Sequence, residues 1–119
     1  MDRIFIRDLM LRCIIGIYPD ERQEKQDIII NAVLECDLSK AHETDRIEDT
    51  INYKSIKKDV VRMVEESEYQ LIETLAERVA EICLRDPKVD RTTVTVDKPG
   101  ALRFARSVAV EITRTRDSA

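Results

Sequence analysis

The sequence predicts an α+β fold, an antiparallel four-stranded sheet with two helices on one face, in the order strand, strand, helix, helix, strand, strand. Two observations carry this. Apolar residues alternate with period two towards both ends of the chain, and between them they recur at steps of three and four. The 119 residues suffice for one core, and no composition break marks a second, so 1–119 is expected to be a single domain.

The first strand is expected over 3–17, where Ile4 and Ile6, then Leu9, Leu11, Cys13 and Ile15, lie two apart. The one slip near Asp8 predicts a bulge. Residues 16–26 form a polar loop longer than a tight hairpin needs, which marks a place to look for function. A second strand over 27–38 puts Ile28, Ile30, Ala32 and Leu34 on one face and Ile29, Asn31, Val33 and Glu35 on the other. With both of its faces partly apolar and the sheet edges open, neighbouring subunits are expected to cover them. Residues 39–50 read as polar loop and acidic linker. Asn52 is a good cap for a helix over 53–66, with Ile56, Val60, Met63 and Val64 as its apolar stripe. A second helix presents Leu71, Leu75, Val79 and Ile82 and stops before Asp86-Pro87. Strands over 92–98 and from Val108 onwards complete the order, separated by Pro99-Gly100 and the stretch 101–106.

Composition excludes several kinds of function. Twenty Lys and Arg against 24 Asp and Glu, with no Trp, provide neither a basic field nor a stacking platform, so nucleic acid is not an expected partner. No long apolar run is present, so neither signal peptide nor membrane span is expected, and a cytoplasmic location follows. Cys13, Cys36 and Cys83 are odd in number and sit among aliphatic residues, which suits buried free thiols. His42 is the lone histidine, read as a solvated loop residue, so a histidine-based zinc site cannot be built. Two glycines cannot make a phosphate cradle. Chemistry is left to carboxylates, lysine, tyrosine and backbone.

Glu73 attracts notice because it sits among apolar neighbours in the first turn of the second helix. Free amides and the positive end of the helix dipole favour an anion there, so helix-start chemistry alone accounts for it. A carboxylate beside free amides is also a donor–acceptor clamp for a flat guanidine-like edge. The stretch by itself leaves both readings open.

Four separated motifs decide further: Ile15-Gly16-Ile17-Tyr18 followed by Glu21 and Gln26; Asp49-Thr50-Ile51-Asn52-Tyr53; Leu71-Ile72-Glu73 with Leu75-Ala76-Glu77; and Asp97-Lys98-Pro99-Gly100-Ala101. In this order and spacing they resemble the dihydroneopterin aldolase family, with its close relative dihydroneopterin triphosphate 2'-epimerase, over nearly the whole chain. The resemblance implies the tunnelling fold, a pterin substrate, no metal or other cofactor, and a homo-oligomer, a tetrameric ring or an octamer, with sites shared between subunits. It implies that Glu73 binds the 2-amino group and ring N3 of the pterin, with the backbone of Leu71 and Ile72 near the ring carbonyl. It further implies catalytic roles for Glu21, Lys98 and Tyr53, the tyrosine also contacting substrate and coming from an adjacent subunit. Asp97 and Lys98 are strand neighbours and point to opposite faces, so only one faces the ligand, and Lys98 is the choice. Aldolase activity is the expectation; the alternatives are the triphosphate epimerase, which 101–108 also resembles, and a pterin-binding relative without turnover.

Overall fold

The computed structural model describes residues 1–116. Four strands, β1 (Asp2–Cys13), β2 (Gln26–Cys36), β3 (Arg91–Pro99) and β4 (Ser107–Thr115), form one sheet in the order β1-β2-β3-β4, with every pair antiparallel. Between β2 and β3 lie helices α1 (Ser39–Thr44), α2 (Tyr53–Glu66) and α3 (Ile72–Cys83). The α+β expectation holds.

The register sorts residues between the two faces. Leu9↔Ile30, Ile30↔Val96 and Val96↔Val110 are paired across the sheet, so these side chains share one face, on which α2 packs against β1 and α3 against β3 and β4. The core lies between: Ile28, Ile30 and Leu34 from the sheet, Ile56, Val60 and Val64 from α2, and Leu75, Val79 and Ile82 from α3 are all buried. α2 starts where Asn52 accepts the Ser55 N–H at 3.1 Å, as its cap position requires. The β1 slip is real, with the register shifting between Ile6 and Leu9 and Asp8 at φ 53°, its N–H held by Asn31 Oδ1 at 2.9 Å. Glu35 and Arg91, directly opposed on β2 and β3, close a bidentate pair at 2.6 and 3.0 Å.

Four expectations need correction. The 39–50 stretch is not a plain loop: it forms α1 and a 3-10 turn, Ile47–Asp49, so the structure has three helices where two were read. α1 is six residues long, too short for a periodic stripe; Asp37 Oδ1 holds the Ser39 N–H at its start, and Asp45, left-handed at φ 57°, ends it. His42 accordingly lies on a helix, although it is exposed as expected. β1 ends at Cys13, not near residue 17, because the Ile15 carbonyl leaves the ladder to accept from Gln26 Nε2 at 2.7 Å and Gly16 takes φ 130°. Leu71 does not belong to the buried face of α3: it precedes the first turn in extended conformation and is half-exposed.

Cys13, Cys36 and Cys83 are buried free thiols, and burial pushes Cys83 up to about 11. Among the described residues no helix is long and apolar enough to cross a membrane, and no group of three or more His, Cys, Asp or Glu is placed to hold a metal ion.

Candidate active site

A cleft of about 280 Å³ opens where the loop after β1, the start of α3 and the adjoining ends of β3 and β4 meet; Gly16, Ile17, Tyr18, Glu21, Leu71, Ile72, Glu73, Lys98 and Val110 are among its lining residues. Three of the four sequence motifs, far apart in the chain, thus meet at one place. Topology brings them together: α3 packs on β3 and β4, so its N-terminus comes to lie beside the β3 end that carries Lys98.

The loop arranges its glutamate through a short 3-10 turn, Pro19–Arg22, whose proline presets the backbone. Glu21 Oε1 accepts the Tyr18 N–H at 3.2 Å, and Oε2 accepts from Lys98 Nζ at 2.7 Å. The Lys98 side chain is 12% exposed and that of Glu21 24%, so this is a half-shielded ion pair with the strength of a charge-assisted hydrogen bond. The lysine holds the Glu21 carboxyl below the usual carboxylate range, with the Tyr18 and Ile17 amides adding to the effect and partial burial opposing it. Gly16 makes room: a Cβ there would lie 2.5 Å from Glu21 Cδ.

At the α3 side, Ile72 is buried, whereas Leu71 and Glu73 are open to the cleft. No side chain caps this helix start, since Leu71 has no acceptor to offer, and the first backbone bond of the helix runs from the Leu75 N–H to the Leu71 carbonyl at 3.3 Å. Leu71, Ile72 and Glu73 all line the cleft, which thus holds an uncapped helix start and a carboxylate, the groups a flat donor–acceptor edge requires.

Lys98 and Asp97 divide as strand neighbours must. Asp97 lines a pocket on the opposite sheet face with Asp8, Asn31 and Arg106, where its buried Oδ1 has no hydrogen-bond partner. Tyr53 is not in the cleft of its own chain. It starts α2, is half-exposed, and lines another surface pocket with Ala41, His42 and Ile47. Arg103 stacks over Phe104 at 5.0 Å and does not line the cleft, and Arg106 lines the pocket that holds Asp97.

One residue escaped the sequence reading. Arg22 donates from Nη1 to the carbonyls of Gly16 and Tyr69, both at 3.1 Å, and from Nη2 to that of Glu68 at 2.7 Å. In a loop with four other charged residues nothing local marks it, because its acceptors are backbone atoms.

A family model described as dihydroneopterin aldolase (FolB) matches residues 4–113. The chain belongs to the dihydroneopterin aldolase family. Its similarity to other family proteins spans almost the whole length. It is 39% identical to the dihydroneopterin triphosphate 2'-epimerase of Pseudomonas aeruginosa, over 94% of this chain and 91% of that protein. It is 41% identical to a folic acid synthesis protein of Dictyostelium discoideum, over 98% of this chain but only 18% of that much longer protein. A crystal structure of Escherichia coli dihydroneopterin aldolase in complex with neopterin superposes with a TM-score of 0.91 at 33% identity, covering 96% of this chain and 99% of the other.

Proposed function

We propose that this chain is a 7,8-dihydroneopterin aldolase that cleaves its substrate to 6-hydroxymethyl-7,8-dihydropterin and glycolaldehyde in folate biosynthesis. The observation that carries the reading is the Glu21–Lys98 ion pair, set in the same cleft as the uncapped helix start bearing Glu73. A carboxylate with adjacent amides suits the 2-amino group and N3 of a pterin, and the relative crystallised with neopterin supports a ligand of that kind.

The chemistry asks for proton transfers and little else. Removal of the 2'-hydroxyl proton breaks C1'–C2', releases glycolaldehyde, and sends the bonding pair into the N5=C6 imine as an enamine protonated at N5. Protonation at C1' with loss of the N5 proton then restores the imine. The substrate supplies its own electron sink, so the reading calls for neither a metal nor another cofactor. Lys98 and Tyr53 act as acid and base through ordered water, and Glu21 orients the lysine and the side-chain hydroxyls.

Tyr53 completes the site from an adjacent subunit in this reading, within a tetrameric ring or octamer of single pterin-binding domains spanning 1–119. Its exposure at a helix entrance, away from its own chain's cleft, supports that role. So do the half-buried Ile29 and Val33 on the open sheet face. Buried free thiols fit a reducing cytoplasm, and the acidic balance of the chain offers nothing to nucleic acid.

The second reading is the triphosphate 2'-epimerase, in which the released aldehyde recombines on its other face; the 39% identity to the Pseudomonas enzyme favours it. Against it, Arg103 and Arg106, which follow the Pro99-Gly100 turn after Lys98 and would suit the charges of a triphosphate, do not line the cleft. Parallel incubation with dihydroneopterin and its triphosphate, followed by chromatography of the pterins, decides. Hydroxymethyl product from the unphosphorylated substrate at the higher kcat/KM is expected. An inverted triphosphate as the main product would establish the epimerase, and the absence of both products would leave a binding protein.

A further inference from the structure

We propose that Arg22 is a positioning residue for this site: its guanidinium ties the loop that carries Glu21 to the turn that launches α3, and so fixes the acid–base pair relative to the ring clamp at Glu73. The role rests on the functional reading above; the tie itself does not. Arg22 ends the same 3-10 turn that holds Glu21, yet it reaches the opposite way. One arm bonds within its own loop, to the Gly16 carbonyl at 3.1 Å, beneath the residue against which the Glu21 carboxylate lies. The same nitrogen and its twin reach 46 and 47 residues along the chain, to Glu68 at 2.7 Å and Tyr69 at 3.1 Å, only a few residues before Ile72 and Glu73 begin α3.

Three features make this more than a surface contact. No carboxylate competes among the seven ion pairs of the described residues, so the Arg22 charge goes to neutral carbonyls, each bond strengthened by that charge. A planar fork reaches two segments at once, which a lysine's single nitrogen on a flexible stem does not reproduce. Furthermore, the two cleft walls rest on the sheet in different ways: the Glu21 wall through its pair with Lys98 on β3, and the Glu73 wall through a whole helix packed on β3 and β4. Loss of the tie frees one wall while leaving the other packed.

The two walls therefore respond differently to Arg22→Met. We expect kcat for dihydroneopterin to fall by about tenfold or more, in line with the cost of misplacing catalytic groups by a fraction of an ångström or more. Affinity for 6-hydroxymethylpterin, which the Glu73 clamp grips, should stay within about twofold by calorimetry. The acid limb of kcat/KM should move to higher pH, because a Glu21 carboxyl separated from Lys98 returns towards its ordinary value. Unchanged kcat overturns the proposal. So does a parallel collapse of kcat, ring affinity and melting temperature, which would make Arg22 a fold residue only. If Arg22→Met does not assemble, Arg22→Lys is judged by the same criteria. If the wild-type protein turns over neither dihydroneopterin nor its triphosphate, the functional reading fails, and amide exchange then judges the tie. The Tyr18 amide, held by Glu21, should exchange faster in Arg22→Met while the α3 interior does not; exchange at the wild-type rate overturns the tie.

Discussion

Glu21 and Lys98 stand 77 residues apart in sequence and 2.7 Å apart in space, and their ion pair joins a polar loop and a strand end in one cleft. Gly16 keeps that pair accessible and Arg22 ties its loop down.

Strand alternation makes a sharp test of which acid or base works. Lys98→Ala should lower kcat at least about a hundredfold, the usual scale for a lost proton-transfer group, with a smaller change in ring affinity. Asp97→Asn, on the opposite face, should leave kcat essentially intact. Steady-state kinetics on both variants checks the assignment, and the reverse pattern would move the chemistry to the other side of the sheet.

Gly16→Ala should damage activity more than stability. Its methyl would push into the Glu21 carboxylate, and φ 130° is strained for any L side chain, at roughly 1–3 kcal/mol. The flexible glutamate yields first and leaves Lys98. Comparison of melting temperature with kcat reads this directly: a folded variant with full kcat would show that the pairing is dispensable.

Glu73→Ala should abolish pterin binding with the fold retained, since the residue is exposed and contributes no core. Titration calorimetry with a pterin is the measurement. A loss smaller than about tenfold, roughly 1.4 kcal/mol, would reduce Glu73 to a helix-start anion.

Two carboxyls make stability depend on acid. Arg91 holds Glu35 below its ordinary value of 4.5, and Lys98 does the same for Glu21. A folded-state value lower than the unfolded one adds stability that is fully present above the unfolded value and disappears as pH falls through the folded one. The melting temperature should therefore hold near neutrality and drop below about pH 4.5. Glu35→Gln should be less stable at pH 7 and show a flatter acid dependence; an identical profile would mean that the Arg91 pair contributes nothing.

Mixing Tyr53→Phe chains with Glu73→Ala chains tests whether sites are shared, because hetero-oligomers can draw each intact residue from a different chain. Partial recovery of aldolase activity is expected after subunit exchange. No recovery with exchange confirmed by mass spectrometry would place both residues in one chain's own site.

Local chemistry alone determined much of this protein. Period-two and period-3.6 patterns specify four strands and two long helices, because each element must bury one face, and Asn52 and Pro87 mark ends through capping and a missing amide. The bulge at Asp8 was legible as a break in alternation, and the opposition of Asp97 and Lys98 followed from strand geometry. The brevity of α1 hid it, since six residues show no period, and the early end of β1 depended on a Gln26 side chain from the facing strand. Only the tertiary structure decided that Glu21 pairs with Lys98, that Gly16 leaves space for the carboxylate, that Tyr53 lies outside its own chain's cleft, and that Arg22 spans two loops. Those are contacts between segments distant in sequence, several of them to backbone carbonyls that every residue carries, so no residue type at either end announces the partner.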